Sequence, residues 1–591
     1  MTARIRMLLL GIVLISHGGL RSQDWLTECE KSDFRRTSRY NETIEFCRRL
    51  SEASPMVHYT TFGKTPQGRD LPLVIVDRSG NFSPEAVRRS GNMVLMVQAC
   101  IHPGEPEGKD AGLMLIRNMV VHGMDTSLLH HLTLLFIPIM NADGHERFGP
   151  YNRINQNGPE EMGWRTTAQN LNLNRDFMKS DAPEMQAWLT LFNQWKPDFF
   201  IDTHTTDGAD YQYVITYSLE TGLNTDTPLG AYLGGRLIPK MESYMKDKGF
   251  PVFPYVSFRQ WHDPRSGLYS QPAPAMLSHG YAAARNRPGL LIETHMLKPY
   301  KPRVESTLEI IRFVMIQMNQ DRTDLQRILN EADAFTSSPA FRAQPMPLKF
   351  SLSKTDSVMI DFAGIHYHIE TSDLTGGKWH IYGKDTLTMQ LPVFRQAYPE
   401  SSAWLPDYYL IPPEWQTVIE RLKIHGVEMS FLNSSLETEI QSYRFEDVKW
   451  RPSTFEGRHP MSFNAIPVNE KRIFPPGTAV INMNQPLARV IALLLEPESN
   501  DSFVYWGFFN AITEQKEYSE TYVMEKMARE MIHKNPSLLK EFEEWKKKHP
   551  GVEKDNWTQL NWFYKKTPYY DSQHNRYPVG RGFGNPEALM N

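Results

Sequence analysis

Two side chains able to bind a metal, His102 and Glu105, stand three residues apart in Gln98-Ala-Cys-Ile-His-Pro-Gly-Glu-Pro-Glu-Gly-Lys-Asp110. The apolar run before them, Met93-Val-Leu-Met-Val97, reads as a buried strand, and the apolar spacing after them (Ala111, Leu115, Met119) reads as a helix. The pair therefore falls at a strand end and a helix start, held close by a Pro/Gly turn. An imidazole nitrogen and a carboxylate oxygen at such a corner suit zinc. A third ligand is offered by Asp198-Phe-Phe-Ile-Asp-Thr-His204, a second apolar strand that ends on histidine. Three protein ligands leave a fourth position for water, the pattern of a catalytic zinc rather than a structural one.

Spacing alone decides little. The chain has 19 histidines, and a second His-x-x-Glu, His425-Gly-Val-Glu428, has no strand ending in histidine after it. The first pair has ordered company: Trp164-Arg165, then Asn172-Leu-Asn174-Arg175-Asp-Phe177, then His204, then Gly289-Leu-Leu-Ile-Glu293. In this order the motifs resemble the zinc carboxypeptidase family, the funnelins, over residues 40 to 320. The resemblance implies a peptide substrate and one zinc per chain, on His102, Glu105 and His204. It implies Glu293 as general base, Asn174 and Arg175 as the grip on the substrate's terminal carboxylate, and Arg165 as the arginine that polarises the scissile carbonyl. Two tyrosines upstream of Glu293, Tyr269 and Tyr281, are alternatives for the family's substrate-capping residue.

The same residue types make chemical sense without the family. A carboxylate near a polarised water can take its proton and pass it to a leaving amine, which suits Glu293. A guanidinium is always charged, so it can stabilise an oxyanion or grip a carboxylate through its planar fork, the parts for Arg165 and Arg175. Asp207 and Asp210, just after His204, are candidates to bind a substrate amino group, with loop capping as the plainer role.

The rest of the chain sets the context. At 591 residues it is long enough for two or three domains, and an apolar fraction of 40% with 22% charged residues is ordinary for a folded protein. A net charge of −4 gives no electrostatic case for nucleic acid. Three cysteines make no disulfide scaffold. Cys29 and Cys47 are able to pair in an oxidising compartment, and Cys100 reads as a small buried hydrophobe. Arg4 and Arg6 before Met7-Leu-Leu-Leu-Gly-Ile-Val-Leu-Ile15, with small residues near Gly19, make residues 1–22 a secretory signal peptide. The apolar run is shorter than the roughly 20 residues that span a bilayer, so no stable membrane insertion is expected after its removal. The expected location is secreted or periplasmic. The oligomeric state stays open.

Strands at Leu73–Val76, Met93–Val97, Leu132–Ile137, Phe199–Thr203 and Leu290–Glu293 alternate with helices at Pro183–Trp195 (N-capped by Asp181) and Leu229–Lys248. A helical hairpin, Val304–Asn319 and Asp324–Ala334, closes this unit. The alternation predicts an α/β fold, a mixed central sheet with helices on both faces, for a catalytic domain over 23–335. A Pro/Ser-rich linker at 336–347 leads to a smaller α+β region at 348–591. There, Val358–Phe362, His366–Glu370, Val427–Phe431 and Ala479–Asn482 read as strands, Leu487–Leu495 as a helix and Lys540–Lys548 as a solvated helix face. Its aromatic run Phe503-Val-Tyr-Trp-Gly-Phe-Phe509 is suited to burial, so the region is expected to wall the cleft.

The reading is a zinc metallocarboxypeptidase. An amidase or deacylase on cell-wall peptides or acyl-amino acids, and an inactive binding protein on the same fold, are the alternatives.

Overall fold

The computed structural model describes residues 25–206 and 208–589, so the expected signal segment and Asp207 lie outside the described residues. The apolar runs build a mixed sheet of eight strands. Its order is 57–64, 70–76, 132–137, 93–98, 199–206, 289–295, 215–218 and 252–254. The strands Met93–Gln98, Phe199–Thr206 and Gly289–His295 are parallel neighbours, which brings their C-terminal ends to one edge. Open α/β sheets carry their sites at such an edge.

Both faces of this sheet are covered, and by different parts of the chain. Leu95, Val97, Ile201 and Ile292 face the helices Glu107–Val120 and Tyr300–Gln320. Met96 and Phe200 face the other way, into a core with Trp188 of helix Pro183–Trp195. That second core continues into Tyr409, Leu422, Ile491 and Phe503, so it is shared with the C-terminal region. Phe503, Val504, Trp506 and Phe509 are fully buried, as the aromatic run leads one to expect.

The segment after helix Arg322–Thr336 is packed. Residues 339–342 form a short helix with Phe341 and Arg342 buried, and strand Met346–Leu352 follows. Strand Asp263–Tyr269 of the first half pairs in parallel with Lys378–Phe394 of the second, Leu268 with Val393 and Tyr269 with Phe394.

Several expected elements differ in detail. Val358–Phe362 and His366–Glu370 belong to one strand, Val358–Thr371, in a long hairpin. Val427–Phe431 is mostly loop, and only Ser430–Phe431 pairs. Val427 sits instead in the shared core, so its apolar side chain was a packing signal and not a strand signal. Asp181 does not cap helix Pro183–Trp195, because Ala182 occupies the cap position. The Asp181 carboxylate is held by Arg458 at 2.6 Å through both oxygens, an ion pair stronger than a neutral cap. Cys29, Cys47 and Cys100 are buried free thiols. No described helix is long and apolar enough to cross a membrane.

Candidate active site

The corner after Met93–Gln98 is made by Cys100, which takes a left-handed backbone conformation at φ 55. The chain turns there, and Glu105 N donates to His102 O at 2.9 Å. Helix Glu107–Val120 then lies close against strand Phe199–Thr206. A Cβ on Gly108 would stand 1.9 Å from Thr203 Oγ1, so only glycine permits that approach. The approach sets the turn beside His204.

His102, Glu105 and His204 are all buried, and their ligand atoms lie within 4.8 Å of one another. The two imidazoles present the same nitrogen to the carboxylate. His102 Nδ1 is 3.1 Å from Glu105 Oε1, and His204 Nδ1 is 3.0 Å from Glu105 Oε2. The Nε2 atoms are held from outside. Asp202 Oδ2 lies 2.7 Å from His204 Nε2, and Asn172 Oδ1 lies 2.9 Å from His102 Nε2. Partners of this kind set the ring orientation and the tautomer of a ligating histidine. Two imidazoles and one carboxylate, converging and backed this way, fit zinc.

Electrostatics follow from burial and these partners. Burial pulls His102 down to about 4. Burial also opposes charge on His204, but Asp202 and Glu105 outweigh it and hold that imidazole well above its ordinary value. Burial disfavours the Glu105 carboxylate, yet Arg153 and His102 bring it well below the usual range. Glu293, two residues before the end of strand Gly289–His295 and in register with His204, has its carboxyl raised, chiefly by burial.

The three metal-type residues open onto a cavity of ≈ 1360 Å³ that is also lined by Arg165, Asn174, Arg175, Glu293 and Tyr269. Arg165 Nη1 lies 3.4 Å from Glu105 Oε1 and its side chain is partly exposed. Asn174 Oδ1 accepts from Ser278 N at 3.1 Å, which turns its amide nitrogen toward His204. Arg175 donates from Nη1 to Asn174 O at 2.7 Å. Burial lowers its guanidinium pKa, Arg165 adds to that, and Glu456 opposes it.

Tyr281 does not reach the cavity. It is fully buried on the other face of the sheet. Its Oη bonds His425 Nδ1 at 2.9 Å, while His425 Nε2 donates to Met178 O at 2.9 Å. The second His-x-x-Glu thus supplies a buried histidine that bonds Tyr281 away from the cavity. Asp210 is also taken, by Lys298 at 2.9 Å and His295 at 3.3 Å, so it is not a free amine receptor.

Asp202, Asn172, Arg153 and Glu456 belong to the site and had no role in the sequence reading. Asp202 had a signal, since residues two apart on a strand share a face and His204 was already singled out. Arg153, which pairs with Glu105, arrives on a loop with no local pattern to announce it.

Residues 43–229 match the family described as "Zinc carboxypeptidase". Over 489 residues the chain is 24% identical to Carboxypeptidase 2 of Trichophyton rubrum, covering 79% of this chain and 83% of that one. Carboxypeptidase 2 of Trichophyton equinum is also 24% identical, over 493 residues, with the same coverage. Among solved structures, a metallo-carboxypeptidase from Burkholderia cenocepacia is similar at a TM-score of 0.36 and 15% identity, covering 48% of this chain and 69% of that one. The family match over residues 43–229, the likeness to carboxypeptidases along most of the chain and the buried His102–Glu105–His204 cluster agree on a zinc metallocarboxypeptidase domain within this chain.

Proposed function

We propose that this protein removes C-terminal residues from peptides and holds one zinc on His102, Glu105 and His204. The single observation that carries the reading is the convergence of those ligands with Glu293, Asn174, Arg175 and Arg165 on one cavity. Zinc, when bound, supplies Lewis acidity toward a water and the scissile carbonyl.

The chain's own residues do the rest. Arg175 and the Asn174 amide bind the terminal carboxylate, which sets the last peptide bond beside His102 and His204. Arg165 stabilises the negative charge that grows on the carbonyl oxygen. Glu293 takes the proton of the attacking water on a carboxylate oxygen and delivers it to the leaving amine. Tyr269, on the cavity wall, is the candidate cap over the substrate. Residues 23–335 act as the catalytic unit and 348–591 as its wall.

Relatives named carboxypeptidases favour this reading over an amidase or deacylase. A binding protein would have no use for a buried carboxylate at the position of Glu293. The basic and apolar start of the chain supports export to a periplasm or medium, which N-terminal sequencing of the exported protein checks.

The purified protein is expected to hold about one zinc per chain and to shorten peptides with a free C-terminus. Amidating the peptide, or Arg175→Ala, should each cost about 10- to 100-fold in kcat/KM, since each removes the same charge-assisted contact. Equal cleavage of free and amidated peptides would sink the assignment, as would a metal-free active enzyme.

A further inference from the structure

A side chain of the C-terminal region, Glu456, reaches the loop that backs the His102–Glu105–His204 cluster. Strands Leu436–Trp450 and Met461–Phe474 form a long hairpin, and the loop joining them ends in a tight tip. Phe455 and Arg458 exchange backbone hydrogen bonds at 2.8 and 3.1 Å across that tip. The two residues between them, Glu456 and Gly457, have φ of 50 and 76. Positive φ at both central residues is the pattern of a type I′ turn, whose first place is favoured by Asn, Asp or Gly. A glutamate there carries backbone strain, and such strain persists where the surroundings hold it.

What holds it is the active-site loop. Glu456 Oε2 accepts from Asn172 N at 2.9 Å, across 284 residues of sequence. Asn172 is the residue whose Oδ1 meets His102 Nε2 and also accepts from Asn174 N at 3.0 Å. One residue, Asn172, thus lies between Glu456 and both His102 and Asn174. The tip itself is clamped. Phe455 stacks on Trp506 at 5.8 Å, and Arg458 holds Asp181 through both oxygens.

We infer that Glu456 is a positioning residue of the catalytic centre, which fixes Asn172 and through it His102, Asn174 and Arg175. The inference rests on the zinc carboxypeptidase reading for its kinetic and zinc-retention consequences only. A glutamate carboxylate reaches the Asn172 amide from the turn, and asparagine at the same place is too short to do so.

The test compares full-length Glu456→Asn and Glu456→Gln with wild type. Asparagine suits the turn, so a purely structural role predicts an unchanged or raised Tm and unchanged kinetics. The positioning role predicts, at that same Tm, faster hydrogen exchange at the Asn172 amide and faster loss of zinc to a chelator. It also predicts a KM for free C-terminal peptides raised about tenfold, with kcat changed less. Glutamine keeps the accepting oxygen and should restore all three to within about threefold of wild type. Wild-type exchange and zinc retention in Glu456→Asn would overturn the inference, and so would equal damage in the two variants. Because exchange at the Asn172 amide needs neither substrate nor zinc, it decides the role of Glu456 even if the protein binds no metal and cleaves no peptide.

Discussion

Glu293 and Asp202 are carboxylates within one site whose surroundings push them in opposite directions. Glu293 lines the cavity and burial raises its pKa, so it is suited to carry a proton. Asp202 is buried behind His204 and its pKa is lowered, with the His204 imidazole overcoming the burial. It is suited to stay charged and orient a ring. Glu293→Gln should therefore keep zinc and peptide binding while kcat falls by about 10²- to 10⁴-fold. A kcat within threefold of wild type would remove Glu293 from the mechanism. Asp202→Asn should act through the metal, weakening zinc affinity about 10- to 100-fold, measured by chelator competition. Unchanged affinity would show that the 2.7 Å contact to His204 Nε2 orients nothing that matters.

At the scale of elements, the cavity wall between Tyr269 and helix Ser278–Ala284 depends on distant partners. Ser270 N donates to Phe394 O at 2.9 Å, and Ala275 N and Met276 N each donate to the Asp501 carboxylate at 2.9 Å. Asp501 is buried, and burial pushes its carboxyl up from 3.8 to about 6. The folded pKa lies above the unfolded one, so folding favours the protonated form. The stability this gives is fully present below pH 4 and is lost as pH rises through 6, a difference of about 3 kcal/mol. Asp501→Asn cannot titrate. Thermal unfolding across pH 4 to 8 should show wild type losing stability relative to the variant as pH rises. Parallel curves for the two proteins would refute the assignment.

At the scale of the whole molecule, one apolar core joins the two halves. Met96, Phe200 and Trp188 of the first share it with Leu422, Ile491 and Phe503 of the second. Ending the chain near Pro345 would bare the sheet face that those residues cover. Each large side chain exposed costs roughly 1.5–3 kcal/mol, so the truncated chain should be insoluble or melt far below the full protein. A soluble truncation with the full chain's Tm would show that the second half is a separate module.

The sequence by itself singled out His102, Glu105 and His204 as candidate ligands, the place of Glu293, and the strands and helices of the first half. It could do so because those signals are local: a ligand at a strand end, a period of two or of 3.6, a turn between them. It left two tyrosines open, because either one precedes Glu293 at a plausible distance, and only the tertiary structure puts Tyr281 against His425 and Tyr269 on the cavity wall. It gave no role to Arg153, Asp501 or Glu456, which come from loops with no periodic pattern. Their meaning lies in backbone and side-chain partners up to 284 residues away. Such contacts are made when two halves bury a common core. Nothing in the local spacing of a glutamate at a hairpin tip distinguishes it from one in solvent.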